Sequence, residues 1–278
     1  MKNILKIMLM MITIFTIAGS AVYAAEIPVS DQDQLITSSD WTEISNLQDE
    51  MKKEEPDATI DYDKALKVYV DCNLIKLQTA DTKKLTSALE SANYVWVIPF
   101  KMEKTYGMFT VAKGLPLSEE AKSVLTKAEQ EEVKNHAGKW MITETAEHTV
   151  EPYYDILLEK REALSDCTRV VLVGSQPGMR QPVALGMDDE TARIWISLGY
   201  QYPVMEKIPE TQNVESGVYS FDSVAEISDT YIEDSEVSTG AGVQSRSSMK
   251  YVAGIGIVLI GSILILSVLK KKKMKSED

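Results

Sequence analysis

Residues Tyr251 to Leu269 read YVAGIGIVLIGSILILSVL, without one charged side chain, and Lys270, Lys271, Lys272 and Lys273 follow at once. An apolar helix of roughly 17–25 residues crosses a hydrocarbon core of about 30 Å. Lysines placed behind such a run stay on the cytoplasmic side, because cationic segments resist translocation. The sequence therefore predicts a single-pass transmembrane helix at 251–269 and a Lys-rich cytoplasmic tail at 270–278. The bulk of the chain is then extracytoplasmic, at a cell membrane and possible cell-wall surface.

The opposite end agrees with this orientation. Lys2 and Lys6 precede the apolar residues Ile7 to Ile17, and Ala18, Gly19, Ser20 and Ala21 follow. This is the layout of a secretory signal peptide, with cleavage best placed after Ala24 and Val22 two positions before it. The rival is an uncleaved N-terminal anchor, for which the apolar run is short. Residues 1–24 are assigned to the signal, and 25–39, being polar, to a disordered mature N-terminus.

The formal net charge is −13, and the part between the two ends is more acidic still, since both ends are lysine-bearing. Such a surface repels nucleic acid and anionic lipid. It suits a solvated domain, a cationic partner or weak divalent-cation binding. The chain has two cysteines, Cys72 and Cys167. Outside the cytoplasm a pair of this kind can form a disulfide. Closing so long a loop would stabilise the fold by roughly 4–5 kcal/mol in the chain-entropy model. The other reading is two buried free thiols.

Between the ends, hydrophobic periodicity gives an ordered domain at 40–208. Asp40 with Glu43 resembles a capping box, and Trp41, Ile44, Leu47 and Met51 recur at helical spacing over 41–54. In Ala65 to Asp71, Leu66, Val68 and Val70 alternate with Lys67, Tyr69 and Asp71, the pattern of a half-buried strand. Asp81 caps a second helix carrying Leu85, Ala88 and Leu89. Tyr94 to Phe100 and Tyr106 to Lys113 form a hairpin. A long helix runs from Ser118 to about Ala137, with Ala121, Val124, Leu125, Ala128 and Val133 inward and Gly138 as its stop. Trp140 to Ile142 begin a strand, and Pro152 opens a helix with Tyr153, Ile156, Leu157 and Leu164 on its core face. Arg169 to Ser175, Pro182 to Met187 and Ala192 to Leu198 are three further strands. The order fits an α+β domain, a mixed or antiparallel sheet with three to four helices packed on it. Residues 209–250 turn acidic and read as a stalk; the alternative is that Gly217 to Ile227 adds a strand or two to the domain.

Chemistry is sparse. Gly174-Ser175-Gln176-Pro177-Gly178 lacks the spacing of a nucleophile elbow, and both His136 and His148 precede it. A cysteine nucleophile would need Cys72 or Cys167 beside one of those histidines, but no local signature marks such a pair. His148 with Glu144, Glu147 and Glu151 would form a metal set only on a helix, and the stretch reads as a strand end and loop. Asp31/Asp33, Asp61/Asp63 and Asp188/Asp189/Glu190 lack the glycine and terminal glutamate of a calcium loop. No phosphate-binding motif occurs, and no cofactor is implied. The aromatics Tyr94, Trp96, Phe100, Tyr106 and Phe109 serve either a binding face or the core.

Glu236-Val237-Ser238-Thr239-Gly240 precedes the apolar run, and a lysine-rich tail follows it. This order resembles the cell-wall sorting signals of Gram-positive surface proteins, with Glu236 and Val237 in place of the usual Leu-Pro. The resemblance covers 236–275 and implies cleavage by a sortase between Thr239 and Gly240.

The leading expectation is a surface-displayed, membrane-anchored protein of the bacterial envelope whose domain binds an extracellular protein or small-molecule ligand. The hairpin 94–113 and strands 169–198 are the expected face. The alternatives are an envelope hydrolase and a structural envelope component attached to the wall by a sortase.

Overall fold

A computed structural model describes residues 27–148, 151–174, 176, 182–198, 205, 208 and 213–227. The segment 1–24, the pair Thr239 and Gly240, the run 251–269 and the tail 270–278 lie outside the described residues. So do Ser175, Pro177 and Gly178. Among the described residues no helix is long and apolar enough to cross a membrane.

The fold is α+β, built on a mostly antiparallel sheet. The strands are β1 (Thr59–Ile60), β2 (Leu66–Tyr69), β3 (Tyr94–Lys101), β4 (Tyr106–Lys113), β5 (Trp140–His148), β6 (Arg169–Val173), β7 (Val183–Met187), β8 (Ala192–Ser197), β9 (Asn213–Glu215) and β10 (Val218–Ser220). Their order across the sheet is β5-β4-β3-β2-β6-β7-β8-β10-β9, with β1 pairing beside β2 along the far half of β3. Two antiparallel meanders thus run outward in opposite directions from a central seam. At the seam β2 and β6 pair in parallel, through Val68↔Leu172 and Tyr69↔Val173.

Helices cover both faces of the sheet. On one face, Trp96, Ile98, Phe100, Phe109 and Val111 pack under Ile44 and Met51. These belong to α1 (Trp41–Ile44) and α2 (Gln48–Glu54), linked by the 3₁₀ turn Ser45–Leu47. On the same face, Val171, Val173, Leu185, Met187 and Trp195 pack under Leu85 and Leu89 of α3 (Thr82–Glu90), with Phe221 and Val224. The opposite face carries Val68, Val97, Val170, Leu172 and Ile196 under Ile156 and Leu157 of α6 (Tyr153–Glu159), with Ile27 and Val29. Full burial of an aliphatic side chain contributes about 1.5–3 kcal/mol, so these clusters are the main source of stability.

Several expectations are corrected. Residues 27–38 are ordered: Ile27, Val29, Asp33 and Leu35 are all buried. The helix expected over 118–137 is two, α4 (Glu119–Val124) and α5 (Lys127–His136). Leu125 and Thr126 between them are extended, because Thr126 begins a new helix with a reciprocal capping box to Glu129. Val124, assigned to the inward stripe, is 66% exposed. Residues 213–227 extend the domain past 208, with β9, β10 and a helical turn at 221–227, as the alternative reading of Gly217 to Ile227 held. The strand β2 is covered on both faces rather than half-buried, since Tyr69 is only 6% exposed.

The disulfide is also corrected: Cys72 and Cys167 are free and buried. Cys72 follows β2 and Cys167 precedes β6, and those strands run parallel, so the two thiols lie at opposite ends of the seam. Val173, level with Tyr69, is six residues beyond Cys167, or about 20 Å along a strand. They also sit in the clusters on opposite faces of the sheet. A disulfide needs Cα atoms within about 7 Å.

Candidate functional site

The seam gathers the densest polar chemistry among the described residues. From its paired end, β2 and β6 part toward Leu66 and Arg169, and the N-terminal segment fills the gap. Val29 bridges Val170 in parallel and Gln34 bridges Leu66 antiparallel. The amides of Val170 and Leu35 donate to the carbonyls of Pro28 (2.7 Å) and Ala65 (3.2 Å). Between these contacts a single 3₁₀ turn, Asp31–Asp33, swings Asp33 against the sheet. We call residues 27–38 the strap.

Asp33 is 2% exposed. Its carboxylate accepts from Tyr69 Oη (2.8 Å), Arg169 Nη2 (2.9 Å) and Ser30 Oγ (2.6 Å). Lys67 Nζ lies 3.8 Å away. That ammonium sits 4.5 Å from the ring centre of Tyr94 and 5.2 Å from that of Trp96, so its charge is shared between a carboxylate and π faces. Asp40, where the strap joins α1, accepts from Tyr94 Oη (2.9 Å) and Trp96 Nε1 (3.0 Å). Burial holds the Lys67 pKa below its ordinary value, against the pull of Asp33 and Asp40. Burial, then the neighbouring carboxylates, pushes the Tyr69 and Tyr94 phenols well up. Two acids face two bases; Asp33 accepts from three donors on three segments, while Arg169 Nε is buried without a hydrogen-bond partner. Such a set pins the N-terminal segment in place.

The other end of the seam is closed by Gln176, which is 3% exposed. Its Nε2 donates to the carbonyls of Cys72 and Gly174, and its Oε1 accepts from the Leu74 amide. Asp71 there adopts a left-handed conformation (φ 54°), held by its carboxylate accepting from the amide and side chain of Asn93.

The catalytic candidates do not converge. Burial raises the pKa of both thiols, Cys72 and Cys167, to about 11, so they are protonated and inert at neutral pH. His136 ends α5, beside the outermost strand β5, while both cysteines flank the central strands. Residues 140–148 are strand and not helix, so Glu144 and Glu147 point to opposite sides. Among the described residues no three metal-ligating side chains gather. Of the three acidic clusters, Asp33 is taken up by the seam, Asp61 pairs with Lys64, and Asp188 closes the β7–β8 turn through the amides of Glu190 and Thr191 and the Arg193 guanidinium. Those donors hold the Asp188 pKa down to about 2.

Trp96, Phe100 and Phe109 are fully buried and form core, while Tyr94 and Tyr106 are partly exposed. What the sheet leaves open is its margin. Among the described residues β5 pairs with β4 alone, and it carries exposed Glu144 and Glu147. Sequence reasoning weighed Asp33 only as a calcium ligand and gave no role to Lys67, Tyr69, Arg169 or Gln176, whose partners lie from about 35 to 136 residues away. No family model, no curated protein and no solved structure matches this chain.

Proposed function

We propose that this chain is a single-pass membrane protein displayed outside the cytoplasm, whose folded part is a binding module. The observation that carries the anchoring is the charge-free run Tyr251 to Leu269 with four lysines directly behind it. The folded domain reaches 227, past the boundary expected at 208. Support for a binding role comes from the margin of β5, which among the described residues pairs on one side only and so suits an added extended peptide. The exposed Glu144 and Glu147 favour a basic one.

Protease added to intact cells tests the topology. Loss of the folded domain from intact cells is the expected result; a domain cut only after permeabilisation overturns the reading. Wall attachment at Thr239 and Gly240 remains the second reading on the sorting-signal resemblance. Mass spectrometry of the mature C-terminus separates the two, since a chain ending at Thr239 means wall linkage and a retained lysine tail means a membrane anchor.

A further inference from the structure

Among the seam side chains, Lys67 is the one placed to react. In the β2–β3 register it stands opposite Trp96, and Tyr69 opposite Tyr94, so the four side chains rise from one face of the sheet. The Lys67 side chain is 11% exposed, and its Nζ lies 4.5, 5.2 and 5.8 Å from the ring centres of Tyr94, Trp96 and Tyr69. One carboxylate, Asp33, serves two cations. Arg169 takes the hydrogen bond at 2.9 Å, while Lys67 stays at 3.8 Å, beyond hydrogen-bond length. A guanidinium keeps its charge at any ordinary pH, so of the two cations Lys67 is the one with a proton to give up. Burial favours that loss, as does the neighbouring Arg169, against the pull of Asp33 and Asp40.

The two oxygens of Asp33 are differently furnished. Oδ2 accepts from Arg169 Nη2 (2.9 Å) and Ser30 Oγ (2.6 Å), the double donation that stabilises an oxyanion. Oδ1 accepts from Tyr69 Oη (2.8 Å) and is the oxygen that faces Lys67.

We propose that Lys67 and Asp33 condense to an intramolecular amide, which ties the strap covalently to β2. The Nζ ammonium passes one proton to Oδ1, and the neutral amine attacks Cγ. A Cγ–Nζ bond forms, and the π electron pair of the carbonyl moves onto Oδ2 under Arg169 and Ser30. A second proton goes from Nζ to Oδ1, directly or through Tyr69 Oη. The carbonyl to Oδ2 re-forms, the Cγ–Oδ1 bond breaks and one water leaves. The third Nζ proton remains on the amide. One ammonium and one carboxylate are consumed, one amide and one water are made, and no oxidant, reductant or cofactor takes part. Free in water, an amine and a carboxylate do not condense. The fold supplies what they lack, an effective molarity of up to about 10⁵–10⁸ M for well-oriented groups. Nζ closes the remaining distance by a swing of its flexible four-carbon stem. The ion-paired seam is the state before closure. The inference is independent of the anchoring and of the β5 margin, since it concerns the interior of the folded domain alone.

Peptide mapping of the unaltered chain supplies the test. Full-length protein is purified, held folded overnight, denatured, reduced and digested with trypsin, and the peptides are read by mass spectrometry. Closure predicts a branched peptide joining the stretch that carries Asp33 to the stretch that carries Lys67. It should be lighter than the two together by one water, survive reductant and show no cut after Lys67. Fragmentation should place the bond at those two side chains. Lys67→Arg keeps the charge but has no amine to acylate, and Asp33→Ala has no carboxyl; each should give separate peptides only. Recovery of the Asp33 peptide unbranched, together with a peptide cut after Lys67 and no linked product, overturns the proposal, and this result needs no variant to fold. A branched product that persists in Lys67→Arg, or whose bond maps to another carboxyl group, overturns it as well.

Discussion

Asp33 is buried and held by side chains from two strands that lie far from it in sequence, and its removal strands two partly buried cations. Breaking a buried pair from one side costs about 3–5 kcal/mol, so Asp33→Ala should destabilise the domain by that amount in denaturant unfolding. Replacing Asp33 and Arg169 together by Leu and Met should recover much of the loss. The thiols offer a second check. With pKa values pushed up to about 11, Cys72 and Cys167 should resist alkylation at neutral pH until the fold is opened, and reductant should leave the melting temperature unchanged. Alkaline stability follows from the phenols. Tyr69, Tyr94 and Tyr153 have folded pKa values above their ordinary 10.0, so the stability they contribute is complete below pH 10. It is lost as pH rises through their folded values. Lys67, whose pKa is lowered, acts in the opposite sense and offsets part of the loss. Ultraviolet titration should show a group of tyrosines that ionise only on unfolding. None of this was readable locally. Asp33 lies in a polar stretch without periodicity, and Arg169 heads a run of buried strand residues; only the seam makes them neighbours.

Elements with a clear period were legible. The hairpin of β3 and β4 has the expected bounds within a residue, because YVWVIPF and YGMFTVAK carry β-branched and aromatic residues without a competing helical pattern. β6, β7 and β8 were visible for the same reason. The helix expected over 118–137 was misread because Thr126 looked like one polar residue among many. Its hydroxyl accepts from the Glu129 amide while that carboxylate accepts from the Thr126 amide, which ends one helix and starts the next. Thr126→Ala should lower stability by about 1 kcal/mol, measured by thermal unfolding. The segment 213–227 was assigned to a stalk because its apolar residues come in short groups. Val218, Tyr219, Phe221 and Val224 are nevertheless buried, supplied with neighbours by β8 and the adjoining cluster. The disulfide expectation failed on strand direction: antiparallel β2 and β6 would have brought the cysteines together, whereas the parallel pair holds them apart.

For the whole molecule, the boundaries decide how it can be cut. A chain ending at 208 would lose β9, β10 and the helical turn at 221–227, baring Trp195 and β8. It should therefore aggregate, whereas a chain spanning 25–227 should remain monodisperse by size-exclusion chromatography. The α+β class was apparent from the succession of elements. The arrangement of two meanders back to back was not, because a two-residue parallel contact leaves no pattern in the sequence. That narrow contact also sets an order of assembly. Each meander is stitched by pairings between near neighbours in the chain, while the bond from Arg169 to Asp33 spans 136 positions. Closing long loops is slow relative to forming local hairpins. Asp33 can thus meet Tyr69 early, across 36 positions, but its pairing with Arg169 must wait until β6 has been made, so the seam closes last.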